Sequence, residues 1–236
     1  MIILLPLLVL CGLLFSVLVS GRELPANGPL WDSAMACGFM AYGLVAFLFL
    51  LTGRPLRIPF NDGRFFTVAH RLFGCVAGLL IALHVGLSLW AEPLTVRYLL
   101  PGGPGYMLAG LAGMLLAVLD IGPSFPAARR RIWRTATRFR QVHGLAALGL
   151  LGLASVHITW ARLHVQGRHQ IAAIAVIAVC CAIVPWIGRH GRLPRPSGHR
   201  RRNTAPVAVR LAGVVGGVSL GVSVAYGLYF SRWLAP

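Results

Sequence analysis

Residues 69–90, AHRLFGCVAGLLIALHVGLSLW, decide the fold, because they place two histidines in a run that is otherwise apolar enough for a lipid bilayer. The two, His70 and His84, are fourteen residues apart. On an α-helix this spacing is close to four turns, so both side chains project from nearly the same face, roughly 21 Å apart along the axis. The stretch therefore predicts a helix with imidazoles at two depths.

A second stretch repeats this arrangement. Residues 141–160, QVHGLAALGLLGLASVHITW, carry His143 and His157, which are again fourteen residues apart. An ionisable side chain at membrane depth is costly without a partner and usually marks a functional pathway. Since the spacing occurs twice, the four histidines call for one shared explanation.

Composition places the chain in a membrane. Of its 236 residues, 57% are hydrophobic and 11% are charged, and the mean hydropathy is +0.76. Such a chain is too apolar for a soluble domain with a polar surface. The formal net charge of +17 raises nucleic acid as a partner, but the basic residues lie between long apolar runs. Contact with membrane lipid at the cytoplasmic surface explains them better, and no nucleic-acid partner is expected.

Seven apolar runs are long enough, or nearly so, to cross a hydrocarbon core of roughly 30 Å. The fold expected is an all-α membrane protein with about seven transmembrane helices. The first run lacks the positively charged start and the small-residue cleavage site of a signal peptide, so we expect it to be retained as a helix. The runs are approximately 2–20, 34–52, 66–90, 105–121, 139–161, 170–188 and 207–230.

Arginine placement predicts the orientation, because cytoplasmic connections carry an excess of positive residues. The second, fourth and sixth connections between the runs are much richer in arginine than the others. This pattern predicts an N-terminus on the cytoplasmic side of the membrane and a C-terminus on the outer side. The arginines of these three connections are Arg54, Arg57 and Arg64; Arg129, Arg130, Arg131, Arg134, Arg138 and Arg140; and Arg189, Arg192, Arg195, Arg200, Arg201, Arg202 and Arg210.

The third and fifth runs are separated by one helix, so they are expected to run parallel. His70 then lies level with His143, the inner pair, and His84 lies level with His157, the outer pair. A haem iron takes one imidazole from each side, so two haems held between helices 3 and 5 would explain all four histidines. Four independent hydrogen bonds between helices are the simpler alternative. Four glycines near the histidines, which would let a flat ring approach the backbone or serve ordinary helix packing, are Gly74, Gly78, Gly149 and Gly152.

The segments HRLFGCVAGLLIALH (70–84) and HGLAALGLLGLASVH (143–157) resemble the ferric reductase-like transmembrane domain. NADPH oxidases, eukaryotic ferric reductases and the haem-binding subunit of the bacterial methionine sulfoxide reductase system share that domain. The resemblance covers about residues 34–188, and motifs such as HRLFG and VHITW are similar to the bacterial subunit. It implies two b-type haems with bis-histidine ligation and electron transfer from a cytoplasmic donor to an outer acceptor.

The chain departs from its larger relatives in having no G-x-G-x-x-G fingerprint or other nucleotide-binding stretch. We therefore expect no flavin bound by a dedicated domain of this chain. Electrons would arrive from a cytoplasmic flavin reductase or a quinol, with quinone a further candidate cofactor. A periplasmic oxidoreductase subunit or a small acceptor would collect them. The expected divisions are 1–33, a first transmembrane helix and outer loop; 34–188, the dihaem helical core; and 189–236, a basic loop and seventh helix.

Four arginines are candidates to bind haem propionates, because a guanidinium group pairs well with carboxylates. Arg71, Arg138 and Arg140 lie near the inner pair, and Arg162 follows the outer pair. Each is equally consistent with an ordinary anchor at the membrane surface. His164 is a further candidate contact, or a substitute ligand, at the outer site.

The function expected is transmembrane electron transfer, with the chain as the electron-transfer subunit of an oxidoreductase. One alternative is the cytochrome b subunit of a larger quinone-linked complex. An alternative of another class is a metal or proton transporter that uses the intramembrane histidines. Against the transporter, no acidic co-ligand is expected within the membrane, and two histidine pairs roughly 21 Å apart are too distant to form a single site.

Overall fold

The computed structural model describes residues 28–53, 63–133, 135–190 and 205–233. This part of the chain is helical and contains no strand. The first predicted run, 2–20, lies outside the described residues. Short 3-10 helices at Pro93–Leu99 and Gly122–Ser124 lie in the connections. The α-helices are α1 (Pro29–Gly53), α2 (Gly63–Ala91), α3 (Gly105–Ile121), α4 (Pro126–Ile132), α5 (Ala136–Ala161), α6 (Arg168–His190) and α7 (Ala205–Trp233).

Six of the described helices are long and apolar enough to cross a membrane, and only the short α4 is not. They correspond to the second to seventh predicted runs, so the prediction of an all-helical, multi-pass membrane protein is confirmed for the described residues. The total of seven stays a prediction, because the first run is not described.

Helix α1 forms the centre of the bundle. It packs against α2, α6 and α7, and 67% of its most apolar 18-residue window is buried, compared with 6% for α5. A helix that is hydrophobic on all sides is one that other helices surround. Small residues such as Ala34 and Ala46, both fully buried, let neighbouring backbones approach α1 closely.

The two histidine-bearing helices belong to different parts of the bundle. Helix α2 packs against α1 and α7, whereas α5 packs mainly against α3. Within the described residues, α2 and α5 have no extensive backbone contact with each other. The fold therefore leaves a space between the two helices that carry the histidines.

Local signals set the ends of α5, which carries two of the four histidines. The hydroxyl oxygen of Thr135 accepts a hydrogen bond from the backbone N–H of Arg138 at 3.2 Å, an N-cap of the ordinary kind. At the other end, Arg162 has φ of 52° and stops the helix in the left-handed conformation. His143 thus lies seven residues after the first residue of α5, and His70 lies seven after the first residue of α2.

Candidate functional site

The four histidines meet as two pairs across the space between α2 and α5. The ring centroids of His70 and His143 are 5.9 Å apart, with an angle of 69° between the ring planes. Those of His84 and His157 are 6.2 Å apart, with an angle of 75°. The structure thus brings together the residues that the sequence places at equal depth.

The separation within each pair suits one metal ion between two imidazoles. An imidazole nitrogen binds a transition metal at about 2 Å, a value typical of zinc, so two imidazoles on opposite sides of one ion place their ring centroids roughly 6 Å apart. The observed 5.9 and 6.2 Å agree with this distance. The pairs therefore fit bis-histidine ligation of haem iron.

In the outer pair, each ring is fixed by a backbone carbonyl. Nδ1 of His84 donates to the carbonyl oxygen of Ala34 on α1, and Nδ1 of His157 donates to that of Tyr106 on α3, both at 2.8 Å. A metal-binding histidine commonly donates its other ring N–H in this way, which fixes the tautomer and the ring orientation. With Nδ1 occupied, Nε2 is the nitrogen of each ring that is free to bind a metal.

Two glycines let these rings lie against the backbone. A Cβ atom at Gly38 would lie 2.9 Å from Nδ1 of His84, and a Cβ atom at Gly110 would lie 2.7 Å from Nδ1 of His157. In both cases the carbonyl that accepts the hydrogen bond belongs to the residue four positions before the glycine. The α1–α2 and α3–α5 pairs therefore hold their outer histidines in the same manner.

The inner pair is held differently. Nδ1 of His143 lies 2.7 Å from Oδ1 of Asp120, at the end of α3, and the carboxylate is only 11% exposed. The Oγ atom of Ser124 lies 3.5 Å from the same ring nitrogen. Nδ1 of His70 is buried and has no hydrogen-bond partner in the described part of the chain. The two inner histidines are thus unequal.

Aromatic rings connect the inner pair to the end of the bundle where α4 lies. Phe139 stacks on His143 with ring centroids 5.2 Å apart, and Trp133 contacts Phe139 edge to face at 5.9 Å. The guanidinium carbon of Arg129, on α4, lies 4.4 Å from the centre of the Phe139 ring, a cation–π contact. On the opposite side, Phe66 stacks on His70 at 5.5 Å.

An apolar cavity of about 200 Å³ surrounds the outer pair and is lined by residues of α1, α2, α3 and α5. His164, in the connection after α5, also lines the cavity. Its side chain is 4% exposed and contacts the Phe39 ring edge to face at 5.9 Å. Burial lowers the pKa of His164 to about 4, so the ring is neutral at pH 7. The predicted contact residue His164 therefore lies beside the outer pair.

The four arginines predicted to bind propionates are all exposed. Arg71, Arg138 and Arg140 lie near the inner pair along α2 and α5, and Arg162 lies at the opposite end, where α5 stops. Arg138, Arg140 and Arg162 lie at the ends of α5, whereas Arg71 lies about two turns into α2, and the role of all four remains a prediction.

Three residues of this site escape prediction from the sequence. Asp120 is a single acid at the end of the shortest run. Its position at membrane depth is the one feature of the sequence that indicates a functional role. Gly38 and Gly110 lie on helices without histidines. The sequence singled out four other glycines as places for a flat ring or for ordinary helix packing, and the structure supports packing for two of them. A Cβ atom at Gly78 would meet Ile121, and one at Gly149 would meet Leu116, so these two serve helix packing.

A transporter would be expected to collect several ligands at one point. Among the described residues, no group of three or more His, Cys, Asp or Glu side chains is arranged to hold a metal ion. The histidines occur as pairs.

Comparison with known proteins agrees with the geometry. No curated protein and no solved structure matches the chain. The family described as the ferric reductase like transmembrane component matches residues 37–154, which are half of the chain. The matched segment contains His70, His84 and His143 and ends three residues before His157. The chain therefore belongs to the family of ferric reductase-like transmembrane components.

Proposed function

We propose that this protein carries electrons across a membrane through two b-type haems, one at each histidine pair. His70 and His143 would be the axial ligands of the inner haem, and His84 and His157 those of the outer haem. The observation that supports this most directly is the roughly 6 Å separation of both ring pairs. Membership in a family whose domains generally bind haem and whose proteins are typically part of electron-transfer systems agrees with it.

The protein's own groups supply the orientation of the ligands. The carbonyls of Ala34 and Tyr106 hold the outer imidazoles with Nε2 free to bind metal. Asp120 does the same for His143. Bound haem would supply a one-electron carrier at each pair, while the apolar lining of the outer cavity excludes water from it.

Electrons would enter at the end of the bundle where α4 lies. The contacts from Trp133 to Phe139 and from Phe139 to His143 connect this end to an inner ligand. Arg129, Arg130 and Arg131 are exposed there, which suits an acidic donor protein. The donor would be a cytoplasmic flavin reductase; a quinol, with quinone then bound, is the second candidate.

Electrons would leave at the opposite end for a periplasmic oxidoreductase subunit or a small acceptor. Arg162 and His164 lie there and are the candidates to contact the propionates of the outer haem. Arg71, Arg138 and Arg140 are the corresponding candidates at the inner haem, because these exposed residues are close in sequence to His70 and His143 and guanidinium groups pair well with carboxylates. The protein would act as the electron-transfer subunit of an oxidoreductase in a bacterial inner membrane.

The test is a visible spectrum of the purified protein, oxidised and then reduced with dithionite, together with the amount of haem per chain. We expect two low-spin b-type haems per chain. His84→Ala removes one outer ligand and should leave one haem, whereas His70→Ala should leave only the outer one. Protein that contains no haem, although expressed with an adequate supply, would overturn the proposal.

A matched control is His169→Ala, an exposed histidine in the first turn of α6 that belongs to neither pair. It should retain both haems. If all three variants bind the same amount of haem as the wild type, the histidine pairs are not the ligands.

A further inference from the structure

The inner pair contains a close contact between a carboxylate and a histidine. Oδ1 of Asp120 lies 2.7 Å from Nδ1 of His143, and both side chains are largely buried, 11% and 27% exposed. The proposed function needs only that His143 be oriented, and a backbone carbonyl achieves this in the outer pair. The use of a carboxylate at His143 therefore needs a separate explanation.

None of the other three histidines has a carboxylate as its partner at Nδ1. His84 and His157 donate to neutral backbone carbonyls. His70 has no partner at this atom in the described part of the chain. The imidazole of His143 thus has a carboxylate as the acceptor at Nδ1, whereas the imidazoles of the outer pair have neutral carbonyl acceptors.

The position of Asp120 follows from the pairing of α3 with α5. The residue fourteen positions before it is Tyr106, which holds His157, and fourteen residues also separate His143 from His157. On α1, the residue fourteen positions after Ala34 is Leu48, which has no polar side chain. Although the two helix pairs hold their outer histidines in the same manner, only the α3–α5 pair has a carboxylate fourteen positions from the residue that holds the outer histidine.

A charged acceptor changes the chemistry of the imidazole. A carboxylate that accepts the Nδ1 proton increases the basicity of the ring, and hydrogen bonding to ligands is one of the means by which a protein tunes a metal site. A more basic ligand, and a nearby negative charge, favour the more positively charged, oxidised state of the metal. The local reduction potential is lowered as a result.

We propose that Asp120 is a positioning residue that lowers the reduction potential of the inner site below that of the outer site through its hydrogen bond to His143, and so directs electron transfer outward. This rests on the proposed function. With haem bound at both pairs, each transfer would move one electron from the inner to the outer site, which would oxidise the inner site by one unit and reduce the outer site by one unit, with no bond broken and no proton moved.

The experiment is a potentiometric titration followed by visible absorption, with the full-length protein in detergent. The His84→Ala and His70→Ala backgrounds, which retain one site each, assign the two potentials. In wild-type protein the inner potential should be the lower one. Asp120→Asn keeps the size of the side chain but removes its charge, and should raise the inner potential.

We expect the equilibrium constant for electron transfer from the inner to the outer site to fall by about tenfold in Asp120→Asn, by analogy with the 10- to 100-fold loss of metal affinity or activity when a partner of a metal ligand is removed. For a one-electron couple, a tenfold change corresponds to about 59 mV. Asp120→Glu, which keeps the charge, should remain closer to wild type. Glu92→Gln removes an equal charge at the opposite end of the bundle, where Glu92 caps a 3-10 helix, and should change neither potential.

Three results would overturn this inference: an inner potential in wild-type protein equal to or above the outer one, an Asp120→Asn titration identical to wild type, or an equal shift of both sites. The first comparison needs no Asp120 variant and so stands even if Asp120→Asn fails to fold. Absence of haem from the wild type would overturn the proposed function instead, so the two failures are distinguishable.

Discussion

At the scale of single residues, the glycines opposite the outer histidines are the most sensitive positions. We predict that Gly110→Ala lowers the haem content from two per chain towards one. The added Cβ would lie 2.7 Å from Nδ1 of His157, so the ring must move and its 2.8 Å hydrogen bond to the carbonyl of Tyr106 would be lost. The measurement is haem per chain in the purified variant.

Gly213→Ala provides the control for this prediction, because a Cβ at Gly213, on α7, meets no atom within 4 Å. Alanine is favoured over glycine in a helix by about 1 kcal/mol, so this variant should fold and keep both haems. If Gly110→Ala also retains two haems with unchanged spectra, the glycine is not needed for the position of the His157 ring.

The alignment of the histidines into two pairs could be predicted from the sequence, whereas the residues that contact them could not. A spacing of fourteen residues is a property of one helix, so the alignment of His70 with His84 requires no knowledge of the fold. The contact between Asp120 and His143 depends on how far α3 extends along α5. The contact of Gly110 with His157 depends on the same packing, because Gly110 lies on a helix that carries no histidine.

At the scale of elements, the short helix α4 presents a basic surface that we expect to bind the donor. We predict that the double variant Arg130→Gln, Arg131→Gln slows reduction of the inner haem by reduced flavodoxin, an acidic one-electron donor, by about tenfold at low ionic strength. Electrostatic steering raises association rates by about 10 to 10³. Stopped-flow absorbance of the protein in lipid nanodiscs measures the rate, and Arg129 is retained because it contacts Phe139.

The matched control is the double variant Arg97→Gln, Arg168→Gln, which removes the same charge from exposed positions at the other end of the bundle. Its rate should equal that of wild type. The difference between the two double variants should also shrink as salt rises, because a Debye length of about 8 Å at physiological ionic strength screens exposed charges. Equal rates for the two variants at low salt would show that the donor does not bind at α4.

The helices themselves were predictable, but their arrangement was not. Hydrophobic runs gave the six described spans to within a few residues, because a bilayer requires long apolar helices. Helix α1 is the centre of the bundle, yet its sequence is apolar on all sides and indicates no preferred neighbour. The short α4 lies within a connection rich in arginine that hydropathy alone describes as a loop.

At the scale of the whole molecule, the two ends of the bundle differ in charge, and this difference predicts the orientation. Arg129, Arg130, Arg131, Arg138 and Arg140 lie at the end with the inner pair, and the connection 191–204 adds further arginines. By the positive-inside rule we expect this end to face the cytoplasm. Because α7 begins after that connection, the C-terminus should be periplasmic.

Two reporters fused to full-length protein test this orientation in a bacterial host. Alkaline phosphatase, which is active only in the periplasm, should give at least about tenfold more activity at the C-terminus than when inserted in the connection 191–204. Green fluorescent protein, which folds in the cytoplasm, should fluoresce only from the connection; both expectations follow from the bias of arginines towards cytoplasmic loops. The reverse pattern would place the inner pair on the periplasmic side, and an electron that enters beside α4 would then travel towards the cytoplasm.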